Sequence, residues 1–194
     1  MSEIETQLLQ LLKQRSFALG TFRLASGDTS SYYIDARTSE VFSAGAHLIG
    51  EVLYEHSKDV GLDAMGGPEV GAVPLATAAV ISYHLHGRAM EGFWVRNQVK
   101  GHGTQKLIEG RIQQGWRVAI LDDVVTRGSS VVKAIREVRS AGAEVVLVLS
   151  LVDRLGGAQQ LLREEGILNY RPVFTIRDFG VQVEASDPCA KTPC

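Results

Sequence analysis

Two adjacent carboxylates, Asp122 and Asp123, follow a short apolar run, Val118–Leu121. A hydroxyl-rich turn comes next, Thr126–Arg127–Gly128–Ser129–Ser130. The apolar run predicts a buried strand, and Val131, Val132, Ala134, Ile135 and Val138 recur at the spacing of one helical face. The order is therefore strand, acidic pair, hydroxyl-rich loop, helix start. In an open α/β sheet, ligands sit at the carboxyl ends of strands. A helix N-terminus offers unpaired N–H groups and the positive end of a dipole, which suit a phosphate. Gly128 permits close backbone approach, and the Thr and Ser hydroxyls add donors. Neighbouring aspartates repel unless sugar hydroxyls or a hydrated Mg²⁺ compensate them. A phosphorylated ribose carrying a metal-bound anion meets all of these requirements, whereas a solvated acidic turn capping the helix would need none of them.

Three further groups fall at predicted strand ends or loops. Gly66-Gly67-Pro68-Glu69-Val70-Gly71 reads as a tight loop whose free N–H groups could face an anion, or as an ordinary turn. It lacks the Gly-Lys-Ser/Thr of a Walker A loop. Arg96-Asn97-Gln98-Val99-Lys100-Gly101-His102-Gly103 places Arg96, Lys100 and His102 in a Gly-hinged segment. Chemistry that expels an anion needs positive charge where the leaving group gathers negative charge, and a closing loop can deliver it. A solvated surface loop is the plainer alternative. Asp153-Arg154 follows an unbroken apolar strand. The guanidinium suits a planar carboxylate or imide, unless the two residues simply pair with each other.

These groups need elements to hold them. Periodicity predicts helices over 3–15, 43–57, 73–85, 131 onward to Gly142, and 159–165. Gly20 is expected to mark the exit from the first helix. Phe22–Arg37 reads as two short strands around a Ser/Gly/Asp turn. Further strands are predicted ending at Asp63–Gly66, then at Met90–Val95, Val118–Leu121, Val145–Val152 and Pro172–Ile176. Residues 96–110 are expected to be a mobile loop. Strands alternate with helices, so the class is α/β, a central, mostly parallel twisted sheet flanked by helices with a small N-terminal hood over about residues 1–40. One domain is expected over 1–186, with a disordered tail over 187–194.

Composition narrows the function. The chain has 194 residues, 45% hydrophobic and 22% charged, with a net charge of −2. Nothing in that balance points to nucleic acid or to a membrane surface. No apolar run reaches transmembrane length. The N-terminus is acidic and amphipathic rather than a leader, so a cytoplasmic location is expected. Both cysteines, Cys189 and Cys194, lie in the tail, which leaves no disulfide framework or four-ligand zinc site. His84 and His86 are expected at the surface, and Trp94 and Trp116 in the core or at an interface.

The Asp122-Asp123-x-x-Thr126-x-Gly128-Ser129 pattern resembles the 5-phosphoribosyl 1-pyrophosphate (PRPP) motif of type I phosphoribosyltransferases. The likeness extends from Phe22 to about Gly180. Ser26-Gly27-x-x-Ser30-x-Tyr32-Tyr33-Ile34-Asp35-x-Arg37 looks like the hood of the orotate phosphoribosyltransferase branch, and Arg96-x-x-x-Lys100-x-His102-Gly103 like its catalytic loop. The resemblance implies transfer of the phosphoribosyl group from PRPP to orotate, in pyrimidine biosynthesis, by loose displacement at ribose C1. It implies catalytic roles for Lys100, His102, Arg96 and Asp123. PRPP would be held by Asp122, Asp123, Val124, Val125, Thr126, Arg127, Gly128, Ser129 and Ser130, together with Arg96, Lys100, His102, Glu69, Val70 and Gly71. Orotate would meet the backbone at Tyr33 and Ile34, with Thr126 and Arg154. Mg²⁺ would be held mainly by PRPP, through waters on Asp122 and Asp123, with no direct protein ligand. A homodimer with shared sites is implied. Asn97 and Ala25 stand where many members carry lysine, Gly71 where a lysine is sometimes found, and Arg127 where a small residue is usual. These departures bear on rate and PRPP affinity. They also keep two other readings in view: a PRPP-binding regulator without turnover, and a phosphoribosyltransferase for another nucleobase.

Overall fold

The computed structural model describes residues 1–23, 29–98 and 107–182. Helix α1, Glu3–Arg15, starts at a capping box in which Ser2 and Glu5 satisfy each other's end groups. Its acidic first turn and basic last turn complement the helix dipole. Leu8 and Leu12 are fully buried in the main core, so the helix is fastened to the body. Strands β1, Phe17–Arg23, and β2, Thr29–Ile34, form a separate antiparallel hairpin. Gly20 is not a helix exit. It lies inside β1, where the register slips between Leu19 and Phe22. A four-residue helix α2, Arg37–Glu40, and then α3, Ser43–Ser57, lead to the main sheet.

That sheet contains β3 (Ala64–Pro68), β4 (Glu91–Val95), β5 (Ile108–Gly110), β6 (Arg117–Val125), β7 (Glu144–Asp153) and β8 (Tyr170–Thr175). The spatial order is β5-β4-β3-β6-β7-β8, and only β5 runs antiparallel. Helix α4 (Ala72–Leu85) links β3 to β4, α5 (Ser129–Ser140) links β6 to β7, and α6 (Ala158–Glu164) links β7 to β8. The chain leaves β3 in one direction, toward β4 and β5, and returns on its other side as β6. The crevice at that reversal is where open α/β sheets bind ligands.

The apolar runs of β6 and β7 look continuous because both sheet faces are covered. Ala119, Leu121, Leu147, Leu149 and Leu151 face one core, with α1, α3 and α4. Val118, Ile120, Val145 and Val148 face the other, with Val131, Ile135 and Val138 of α5 and Leu162 of α6. Each Val, Leu or Ile among them contributes about 1.5–3 kcal/mol when fully buried.

Three local expectations are corrected. β6 does not stop at Leu121 but carries Asp122 and Asp123 inside its last turn of pairing, opposite β7. The segment 96–110 ends in a strand, β5, paired with β4. Gly66 and Gly67 lie in β3 rather than in a loop. A β-carbon there would sit 2.0 Å from the Phe93 carbonyl oxygen and 1.9 Å from that of Leu121, so packing against neighbouring strands demands glycine. Among the described residues, no helix is long and apolar enough to cross a membrane.

Candidate active site

The ends of β3 and β6 and the exit of the hairpin enclose a cleft of about 340 Å³. It is lined by Ile34, Asp35 and Arg37 from the hairpin side, Pro68–Gly71 from β3 and its turn, and Asp122, Asp123, Val124 and Ser130 from β6 and α5. The Glu69–Val70 peptide in that turn is cis. A β-carbon on Gly71 would lie 2.4 Å from Asp123 Oδ1, so the turn is pressed directly against this carboxylate. Asp123 also accepts from the Val124 N–H at 2.8 Å. Asp122 is 7% exposed and accepts from Ser130 Oγ at 3.3 Å and the Asp123 N–H at 3.2 Å. Burial, with the Asp123 charge next to it, pushes its pKa well above the ordinary carboxylate range.

Gly128, at φ +84°, turns the chain into α5 in a left-handed conformation that favours glycine. No side chain caps this helix among the described residues, so its first N–H groups remain available. Ser129 and Ser130 are exposed there, Thr126 and Arg127 half-buried. Val125 points into the core, and its carbonyl oxygen accepts from the Arg154 N–H at 2.8 Å. Of the Thr126–Ser130 turn, Ser130 is the residue that lines the cleft.

Three residues that the sequence reading did not assign to the site belong beside it. Arg37 is forked onto Asp35, with Nε to Oδ1 at 2.7 Å and Nη2 to Oδ2 at 2.9 Å. That pairing holds the Asp35 carboxyl below its ordinary pKa. Glu40 is 3% exposed, and neither carboxyl oxygen has a hydrogen-bond partner among the described residues. Burial, reinforced by the charges of Asp123 and Asp35, pushes its pKa up to about 9. The stretch Tyr32–Arg37 was legible as hood, but nothing in it showed that a buried acid would follow on α2.

At the end of β7, Asp153 is 4% exposed and accepts from the Leu155 N–H at 2.7 Å and from Tyr170 Oη at 3.0 Å. Tyr170 also shares a hydrogen bond of 2.9 Å with Ser150. Asp153 therefore does not pair with Arg154. Burial raises its pKa, while these two donors oppose the rise. Arg154 donates from Nε to Tyr32 Oη at 2.9 Å, with its guanidinium carbon 4.9 Å from the Tyr32 ring centre. This contact joins the hairpin to the sheet edge. Tyr33 is 46% exposed, its ring 5.5 Å from that of Phe22, while Ile34 lines the cleft.

Arg96 is engaged near the base of its own segment. Its Nη1 lies 3.5 Å from Glu109 Oε1 on β5, and Nε donates to the Gln98 carbonyl oxygen at 3.3 Å. Asn97 instead reaches the β3 turn. Its N–H donates to Glu69 Oε1 at 2.9 Å and its Nδ2 to the Glu69 carbonyl oxygen at 3.3 Å. Lys100 and His102, like Ala25 and the tail cysteines, lie outside the described residues.

No protein-family model matches the chain. Among curated proteins, the orotate phosphoribosyltransferase of Bradyrhizobium sp. (strain ORS 278) is 38% identical over 182 residues, covering 92% of this chain and 98% of that protein. Among solved structures, Mycobacterium tuberculosis H37Rv orotate phosphoribosyltransferase in complex with Fe(III) dicitrate superposes with a TM-score of 0.82 at 36% identity, covering 92% of this chain and 99% of that one. The same enzyme in complex with PRPP gives a TM-score of 0.77 at 33% identity, with the same two coverages. On identity and coverage of this extent, the chain belongs to the orotate phosphoribosyltransferase family.

Proposed function

We propose that this enzyme transfers the 5-phosphoribosyl group of PRPP to orotate, giving orotidine 5′-monophosphate and pyrophosphate. The observation that carries the reading is the Asp122–Asp123 pair at the sheet's reversal point, between the Gly71 turn and the open start of α5. Family membership and the PRPP complex of the mycobacterial relative support it.

The 5′-phosphate is received by the N–H groups and hydroxyls of Thr126–Ser130. Asp122 and Asp123 hold the ribose hydroxyls. The orotate ring lies against the hairpin backbone at Tyr33 and Ile34, with Thr126 beside it and Arg154 at its carboxylate. An orotate nitrogen attacks C1 as the bond from C1 to the diphosphate oxygen breaks, and the bonding pair leaves with pyrophosphate. Lys100 and His102 neutralise or protonate that leaving group, with Arg96 at the base of their loop and the Glu69–Gly71 turn cradling the diphosphate. The cleft's carboxylate oxygens and its width suit Mg²⁺ arriving on PRPP with its waters. When bound, the ion supplies charge neutralisation of the diphosphate. The active unit is a cytoplasmic homodimer whose subunits share loop residues across their sites.

The direct test is loss of orotate absorbance with PRPP and Mg²⁺, where consumption is expected. PRPP binding without turnover would make the protein a sensor, and turnover only with a purine or uracil would change the acceptor. For the shared site, mixing Lys100→Ala with Arg154→Ala subunits should regain part of the activity at orotate concentrations well below the KM of the Arg154→Ala enzyme. No regain would mean sites built within one chain.

A further inference from the structure

The cleft is electrostatically lopsided. Among its described lining residues, Arg37 is the one cation, beside four carboxylates, Asp35, Glu69, Asp122 and Asp123. A diphosphate brought into such a lining needs positive charge from the protein as well as from its metal ion. Arg37 is placed to provide it. Its backbone N–H donates to Asp35 Oδ1 at 3.2 Å, and Asp35 in turn donates its N–H to the Ser16 carbonyl oxygen at 2.9 Å. The guanidinium is therefore held in a fixed orientation, so little rotamer freedom remains to be lost on binding. The Asp35 fork uses Nε and Nη2, and Nη1 lies outside it. The side chain remains 55% exposed. Asp35 foremost, and Asp123 after it, hold the guanidinium firmly protonated, which places the charge within reach of the catalytic pair.

We propose that Arg37 is a diphosphate-binding residue, taking an oxygen of PRPP's pyrophosphate group through its Nη1 edge. The inference rests on the transferase reading above. The guanidinium plane matches phosphate oxygens better than a lysine does. It gains most as C1–O cleavage concentrates charge on the diphosphate, so it serves the transition state as well as the ground state.

The competing explanation is that Arg37 only fastens α2 to the hairpin through Asp35. Arg37→Ala and Asp35→Asn both break that pair, but only the first removes the cation. Steady-state kinetics should show Arg37→Ala raising KM for PRPP by about ten- to a hundredfold, with KM for orotate within about twofold. Asp35→Asn should leave KM for PRPP within about threefold of wild type, because the repelling charge it removes offsets the orientation it loosens. Equal defects in the two variants, or an Arg37→Ala KM for PRPP within about twofold of wild type, would overturn the inference. Should Arg37→Ala fail to fold by circular dichroism, Arg37→Lys carries the test, with KM for PRPP expected to rise at least about threefold and an unchanged value counting against the proposal. Wild-type protein without turnover of PRPP and orotate overturns the transferase reading and this inference with it. An active wild type with an indifferent Arg37 sinks the inference alone.

Discussion

Strands β6 and β7 lie side by side and both end in buried aspartates, yet the two ends have opposite characters. Asp153 on β7 is fully engaged by the protein, with Leu155, Tyr170 and, one step away, Ser150 completing a closed hydrogen-bond network. Among the described residues, Asp122 on β6 accepts only a long Ser130 contact and its neighbour's N–H, next to a second carboxylate. Glu40 has no hydrogen-bond partner among the described residues. A buried polar group is expensive unless it is satisfied, and a native fold normally satisfies it. The β7 end obeys that rule and holds Arg154 in place. The β6 end breaks it among the described residues, at the place where the proposed reading seats a ligand's hydroxyls and cation. Within one sheet edge, the degree of internal satisfaction separates carboxylates that build the site from those that work in it.

Substitutions can break or sharpen that contrast. The largest effect is expected at Asp123→Ala, where kcat/KM for PRPP should fall by about 10²–10³, or 3–4 kcal/mol, with urea stability unchanged or higher. A large loss of stability would put Asp123 in the same class as Asp153. Next comes Glu40→Gln. A carboxyl whose pKa is raised in the folded state contributes its full stability below the ordinary Glu value and loses it as pH rises through the folded value, here about 9. The uncharged variant should therefore be more stable by on the order of 3 kcal/mol at pH 7, the gain fading toward pH 4.5 and growing no further above about pH 9. Urea melts across that range check it, and a gain independent of pH would contradict the stated cause.

Asp153→Ala should cost about 2 kcal/mol, because it leaves the Leu155 N–H and Tyr170 hydroxyl without their acceptor. A neutral result would mean that the β7 network contributes nothing. The smallest effect belongs to Arg154→Ala, with KM for orotate raised about tenfold, or 1.4 kcal/mol, and KM for PRPP within about twofold. Equal changes in both constants would remove Arg154 from the orotate side.

Most of the scaffold was legible because its signals are local. The first helix, the amphipathic α5 and the alternating strand and helix periods need only neighbouring residues to be read. The acidic pair and its hydroxyl turn were legible for the same reason. What escaped depends on partners far away in sequence. β6 continues through its aspartates because β7 pairs with them. β5 is a strand only because β4 lies beside it. Gly66 and Gly67 looked like loop residues, and only the carbonyl oxygens of Phe93 and Leu121 reveal why they are glycine. Arg96 looked free to act until Glu109 came into reach. Glu40 gave no warning, since a single acid after a Ser is unremarkable until the fold encloses it.

The glycine sites at 66, 67 and 71 also set where new selectivity can evolve. With neighbouring backbone, or Asp123 itself, occupying the space of any added methyl group, the floor of the cleft, which on the proposed function lies beneath the ribose, is closed to tinkering. Redesign toward another acceptor must therefore act from above, through the hairpin carrying Tyr32, Tyr33 and Ile34, which stands as its own small sheet and meets the main one through Arg154. The chemistry is cast into the foundation, and the choice of nucleobase is left to a part that can be recut.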